Sequence, residues 1–260
     1  GPHFDQYDVF LIQGLGRRRW QIGPLCDGDT PLLPHEDLKL LAEFTATDEW
    51  VLEPGDILYV PPGFAHNGVA VGSDCMTYSV GFRAPSRSDL LGHFVDDILD
   101  GIPDDELYRD PDLARQANPG EILPDALVRL QQMMLESLSD PASFARWFGT
   151  FNSTPKYADM DWQPETPVEP EDVRASINDA VPLLRNPASR MIFIANGDDA
   201  LMLFADGICF DCVGETAAVA KILCAQDSVI LDAALASAPA VVDLLTQLCN
   251  MGCIAFESEE

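Results

Sequence analysis

Positive charge is what this sequence most lacks. Fifteen lysines and arginines stand against 43 aspartates and glutamates, a formal net charge of −28 over 260 residues. So acidic a chain repels the phosphate backbone, which argues against nucleic acid as a partner. Its field favours a basic protein partner, although an acidic surface serves solubility or a salt-rich habitat equally well. Long hydrophobic runs are missing too. No stretch approaches the roughly 20 apolar residues of a membrane-spanning helix, and the first residues do not read as a signal peptide. The expected location is the cytoplasm, with no membrane partner. Histidine is scarce, with four in the chain. The seven cysteines are odd in number and follow no secretory signal, so reduced thiols are expected in place of a disulfide framework.

What is present is an apolar fraction of 47%, enough for a globular chain with more than one domain. The few histidines are placed informatively. His3 and Asp5 bracket Phe4 at the head of an apolar, β-branched and aromatic run. Successive strand side chains point to opposite faces, so His3 and Asp5 share one face and a short strand offers two ligands. Tyr7 to Gln13 reads as a strand, Gly14-Leu15-Gly16 as a turn, and Arg17 to Ile22 as the return strand of a hairpin. A third ligand, His66, follows Pro54-Gly55-Asp56, a short apolar strand and Pro61-Pro62-Gly63. Two histidines and one carboxylate on one face bind iron(II) while leaving positions open, which suits catalysis. A His-x-Asp pair alone arises often by chance; the setting of His66 is what lifts it. His35 and His93 lack such a setting and are expected at the surface or as caps.

Gly1-Pro2-His3-Phe4-Asp5-Gln6-Tyr7-Asp8-Val9-Phe10, Gly16-Arg17-Arg18-Arg19-Trp20 and Pro61-Pro62-Gly63-Phe64-Ala65-His66 resemble the JmjC-type cupin oxygenases. The likeness is closer to the bacterial ribosomal oxygenases, which hydroxylate an arginine of a large-subunit ribosomal protein. It is specific over residues 1 to about 85 and looser beyond. The resemblance implies Fe(II) with 2-oxoglutarate and dioxygen as co-substrates, and it implies that Arg18 grips the distal carboxylate of 2-oxoglutarate. Alternation is compatible with that role, since Arg17 and Arg19 share one face and Arg18 takes the other. A planar guanidinium meets a carboxylate through two parallel hydrogen bonds. No general acid or base is expected beyond the metal centre. Two rivals stay open: a hydroxylase of histidine or another protein residue, and a non-oxidative metal-binding cupin.

The expected architecture is α+β and multidomain. Residues 1–86 form a double-stranded β-helix of the cupin/JmjC kind. The family carries further strands before the His-x-Asp motif, so this barrel is expected to be truncated at its N-terminus. Helical periodicity over Asp89 to Leu99 and Pro124 to Leu138 marks residues 87–153 as a helical region, which the resemblance assigns to homodimerisation. Residues 154–170 are rich in proline and acid and read as a linker. Over residues 171–260, helices at Glu171 to Leu184, Thr216 to Ala225 and Ala233 to Met251 alternate with strands at Arg190 to Ala195 and Leu201 to Ala205, which suggests a winged helix. Its few basic residues and its Glu257-Ser258-Glu259-Glu260 tail point to protein contacts rather than DNA.

Cys209 and Cys212 have the spacing of half a zinc site, and Cys249 with Cys253 offers a second half. Apolar neighbours on both sides favour buried structural thiols instead. Elemental analysis of the purified chain is expected to find no stoichiometric zinc at these thiols; one zinc per chain, lost on their replacement, would contradict this.

Overall fold

The computed structural model describes residues 1–35, 38–102, 107–112, 115–156 and 160–257. The chain divides into two compact units, Gly1–Leu90 and Leu91–Glu260.

The first unit is organised by two long strands, β1 (Asp8–Leu25) and β4 (Phe64–Phe82). They pair antiparallel from Asp8 opposite Phe82 to Leu25 opposite Phe64. The other edge of β1 is shared by two short strands. β2 (Asp48–Leu52) takes Arg18 to Ile22, and β3 (Ile57–Val60) takes Val9 to Ile12. Val9, Leu11, Trp20, Leu52 and Val60 close the interior.

Two local expectations are corrected here. Gly14-Leu15-Gly16 does not reverse the chain. β1 runs straight through it, and the register with β4 shifts between Gln13 and Leu15 and again between Leu15 and Arg17. Because β4 is long enough to pair on both sides, the glycines absorb a bulge instead of making a turn. Gly16 has φ +62°, and a Cβ there would lie 1.6 Å from the Asp74 carbonyl oxygen, so only glycine fits. His3 and Asp5 also do not head a continuous strand. His3 forms an isolated bridge with His66 through N–H···O bonds of 3.1 and 2.8 Å, and β1 starts only at Asp8. Met76 to Val80 form the distal part of β4.

Helix α1 (Arg87–Gly101) crosses into the second unit and is followed by α2 (Pro124–Leu138) and α3 (Pro141–Ser153). Asp140 caps α3 by accepting from the backbone N–H groups of Ala142 and Ser143, with Pro141 preorganised behind it. Phe94 of α1 packs edge-on to Phe144 and against Trp147 of α3. The remaining elements are α4 (Pro170–Asn178), β5 (Leu183–Arg185), the meander β6 (Met191–Ala195), β7 (Ala200–Ala205) and β8 (Ile208–Val213), then α5 (Glu215–Ala225), β9 (Ser228–Val229), α6 (Ala233–Ala236), α7 (Pro239–Asn250) and β10 (Ile254–Phe256). β10, β5 and β9 form a second small sheet. Val173, Ile177, Leu203, Val219, Leu223, Leu245 and Leu248 share one core, giving the winged-helix arrangement expected of this segment.

Several boundaries differ from the sequence reading. The helix expected over Glu171 to Leu184 stops at Asn178, because Ala180 takes φ 55° and Pro182 leads into β5. The helix expected over Ala233 to Met251 is two, restarted by Pro239 at the head of α7. Helix α3, expected within the helical region, packs on the β6–β7–β8 meander. The linker is tied down at its end by a reciprocal pair, the Val168 N–H donating to Asn250 Oδ1 and Asn250 Nδ2 donating to the Val168 carbonyl. Residues 157–159 of the linker and 258–260 of the acidic tail lie outside the described residues. Cys212, Cys249 and Cys253 are buried; desolvation pushes the Cys249 thiol up to about 11, and burial together with Asp206 pushes Cys253 up to about 12.

Gly149 is where α3 meets the meander, since a Cβ there would fall 2.2 Å from the Phe204 ring. Gly149→Ala is therefore expected to destabilise the second unit by about 1–3 kcal/mol despite alanine's higher helix propensity, read as a lower urea midpoint. A variant as stable as the parent would show that α3 does not bear on the meander.

Candidate metal centre

Three chain segments deliver the site. His66 lies near the start of β4, opposite Ile22 of β1, and its backbone exchanges two hydrogen bonds with His3. The Asp5 carbonyl accepts from the Gly63 N–H at 2.7 Å, which pins the other ligand-bearing residue of the first segment to the turn before β4. Gly63 and His66 together therefore fasten the His3–Asp5 segment to the head of β4.

The imidazoles and the carboxylate converge. Asp5 Oδ2 is 3.9 Å from His3 Nε2 and 3.7 Å from His66 Nε2, and the two rings lie 4.3 Å apart. One ligand atom from each of the three lies within 4.8 Å of the others, the one group of this kind among the described residues. The opposite ring nitrogens fix the tautomers. His3 Nδ1 is 3.0 Å from the Gly1 carbonyl, and His66 Nδ1 is 3.0 Å from the Phe64 carbonyl. A carbonyl only accepts, so each Nδ1 carries its proton and each Nε2 presents a lone pair to the common point. Burial holds the His66 pKa below its ordinary value; the Phe64 bond opposes this, nearby His3 adds to it, and Asp5 opposes it. Neutral imidazole is the form that binds a metal ion. Two such nitrogens and a carboxylate oxygen suit a divalent cation of the iron(II) type, with positions left for other ligands.

Arg18 opens onto the same cavity of about 200 Å³, beside His3, Asp5, Trp20 and His66. Its guanidinium stands 5.5 Å from the centre of the Trp20 ring. Arg18 Nε and Trp20 Nε1 are both buried without a hydrogen-bond partner. Each such orphan costs about 1–3 kcal/mol, and both are N–H donors. A small anion spanning the guanidinium and the metal point fits this donor set. All four residues singled out from the sequence, His3, Asp5, His66 and Arg18, thus meet in one cavity. Arg17 and Arg19 are exposed. His93 is exposed on α1 beside Phe151, and His35 accepts from the Leu38 N–H; neither joins the cluster.

Sequence reasoning missed Thr77 and Ser79, which line the cavity from β4, and the indole of Trp20. Alternation puts Thr77 and Ser79 on one face, but the sequence holds no sign of which face turns inward.

Comparison with known proteins places these observations in a wider set. Residues 1–90 match the JmjC domain profile, and residues 136–255 match the ROXA-like winged helix. The chain is 41% identical over 207 residues to the ribosomal protein uL16 3-hydroxylase of Escherichia coli (strain K12), covering 80% of this chain and 54% of that protein. It therefore spans about half the length of that curated relative. The X-ray structure of E. coli ycfD superposes with a TM-score of 0.83 at 36% identity, covering 99% of this chain and 67% of that one. The structure of YcfD, a ribosomal oxygenase from E. coli, in complex with cobalt and 2-oxoglutarate gives 0.78 at 36% identity, covering 99% and 66%.

The His66 shift has a definite sign. Its folded pKa lies below the ordinary 6.5, so the unfolded chain takes up that proton first as the pH falls. The stability that neutral His66 contributes is present above that value and is lost on acidification through the depressed folded pKa. Urea midpoints of the metal-free chain from about pH 7 to about pH 5 are expected to fall, with a shallower fall in His66→Gln. Parallel profiles for the two chains would remove His66 as the cause.

Proposed function

The chain belongs to the JmjC-type ribosomal oxygenases that carry a ROXA-like winged helix, and from that premise we propose that it is an iron(II)- and 2-oxoglutarate-dependent oxygenase that hydroxylates an arginine side chain of the large-subunit ribosomal protein uL16. The observation that carries this reading is the convergence of His3, Asp5 and His66 beside a half-buried Arg18 whose buried Nε has no hydrogen-bond partner. His3, Asp5 and His66 would hold the iron. With 2-oxoglutarate and dioxygen, the bound metal supplies oxidation of an unactivated carbon–hydrogen bond.

The chain's own residues supply placement. Arg18 binds the distal carboxylate of 2-oxoglutarate, giving one end of that molecule a fixed, charge-matched anchor. Val9, Leu11 and Trp20 wall the cavity with apolar surface, which limits water and strengthens the charge interactions inside it. Asp5 would offset part of the charge of the bound metal. No side chain of the cavity is assigned as general acid or base.

The net charge of −28 supports a basic ribosomal protein as substrate. In this reading residues 1–86 are the catalytic barrel, residues 87–153 are the homodimerisation region, residues 154–170 are a linker, and residues 171–260 are a protein-contact module. Leu91, Leu99, Leu127, Val128 and Met134 are exposed on α1 and α2, which supports a second copy as their cover. Exposed positions of α7 include Asp243 and Gln247, and no lysine or arginine lies on this helix, which weighs against duplex DNA. Among the described residues no helix is long and apolar enough to cross a membrane. The cytoplasm, where ribosomal protein substrates are made, is the proposed location.

Residue-resolved mass spectrometry of ribosomal proteins from cells with and without this protein tests the activity. A hydroxylated arginine in uL16 that disappears with the gene is the expected result. Modification of a histidine instead would reassign the substrate, and no gene-dependent hydroxylation together with no succinate release would favour a non-oxidative cupin. Arg18→Ala is expected to weaken 2-oxoglutarate binding by roughly tenfold or more while metal binding persists, because one charge-assisted anchor is lost.

A further inference from the structure

Gln13 is polar, 1% exposed, and has no place in the metal or co-substrate reading. Its side chain is nonetheless fully engaged. Nε2 donates to the Leu15 carbonyl at 2.7 Å and to the Gly16 carbonyl at 3.2 Å, with Cys75 Sγ at 3.6 Å. Oε1 accepts from the Thr77 hydroxyl at 2.8 Å. The amide orientation is forced, since both carbonyls can only accept. The backbone is held as well: the Gln13 N–H donates to the Asp56 carbonyl, and the Gln13 carbonyl accepts from Gly55. Gln13 thus joins the turn between β2 and β3, the bulge in β1, and β4.

The bulge matters because it reverses the parity of β1. Before it, the odd-numbered Val9, Leu11 and Gln13 are buried; after it, the even-numbered Trp20 is buried and Arg18 reaches the cavity. Unbroken alternation would turn Arg17 and Arg19 inward and Arg18 and Trp20 outward. A bulge also leaves carbonyls outside the regular ladder, and buried carbonyls require partners. The Gln13 carboxamide is the partner for two of them. We infer that Gln13 is the positioning residue of the co-substrate clamp: by closing the Gly14–Gly16 bulge it sets the face of β1 on which Arg18 emerges, without touching any ligand. This rests on the co-substrate reading given above for what Arg18 binds, but the control of Arg18's face does not.

The test uses the full 260-residue chain with Gln13→Leu, which keeps bulk and removes both hydrogen-bonding ends. Cobalt binding is followed by absorbance, 2-oxoglutarate binding to the cobalt-loaded chain by calorimetry, and the relative labelling of Arg17, Arg18 and Arg19 by phenylglyoxal through peptide mass spectrometry. Cobalt affinity is expected to change little, the Kd for 2-oxoglutarate to rise by roughly tenfold, and the protection of Arg18 relative to its neighbours to be lost. A purely structural role would lower the unfolding midpoint while leaving both the Kd of the folded chain and the labelling pattern unchanged; that result overturns the inference. If the parent chain itself fails to bind 2-oxoglutarate but the labelling pattern still changes, the co-substrate reading falls and the role of Gln13 stands. Should Gln13→Leu not fold, Gln13→Asn withdraws the same amide by one methylene; the same changes at smaller amplitude are then expected, and parental values overturn the inference.

Discussion

The antiparallel ladder between β1 and β4 is the constraint on which the first unit depends. β1 has eighteen residues and β4 nineteen, and every residue of the candidate site either lies on one of these strands or is fastened to one. Arg18 and Trp20 belong to β1; His66, Thr77 and Ser79 belong to β4. His3 and Asp5 lie outside both strands, yet the bridge to His66 and the bond from Gly63 attach them to the head of β4. Functional groups on paired strands are located more accurately than groups on loops, because each ladder bond restricts two backbones at once. The site therefore takes its precision from backbone pairing and only its chemistry from side chains.

Polar satisfaction inside this unit is uneven in an informative way. Gln13 meets the carbonyls released by the bulge, and both histidines of the cluster spend their Nδ1 protons on backbone carbonyls. Arg18 Nε and Trp20 Nε1 have no such partner, although both are buried. Buried polar groups normally find partners, so the exceptions gather where a ligand would supply them. The unpaired donors lie beside the three convergent ligand atoms, and the proposed anion needs that juxtaposition.

Much of the site was legible in the linear sequence because it rests on local rules. The His-x-Asp spacing and the turn leading to His66 survive any arrangement of the remaining chain, and the periodicity of α1 and α2 was read correctly. Gly14-Leu15-Gly16 was misread for a physical reason. Two glycines between strands satisfy a reversing turn and a bulge equally well, and the outcome depends on whether a partner strand runs past both sides. The early end of α4 and the break before Pro239 were misread although their causes are local: Ala180 leaves the helical region before Pro182, and Pro239 opens a new helix, while the apolar pattern ran on past both. That α3 packs on the β6–β7–β8 meander was not legible, because nothing local reveals that Gly149 faces Phe204.

Residue types and short spacings by themselves determined the candidate ligand set, the acidic character and the periodicity of α1 and α2, since these follow from chemistry and backbone period alone. The tertiary structure decided which face of β1 turns inward. Side-chain alternation separates Arg18 from Arg17 and Arg19 but assigns no direction. That direction came from a bulge held by Gln13, Thr77 and the turn at Gly55, residues brought together only by long-range strand pairing.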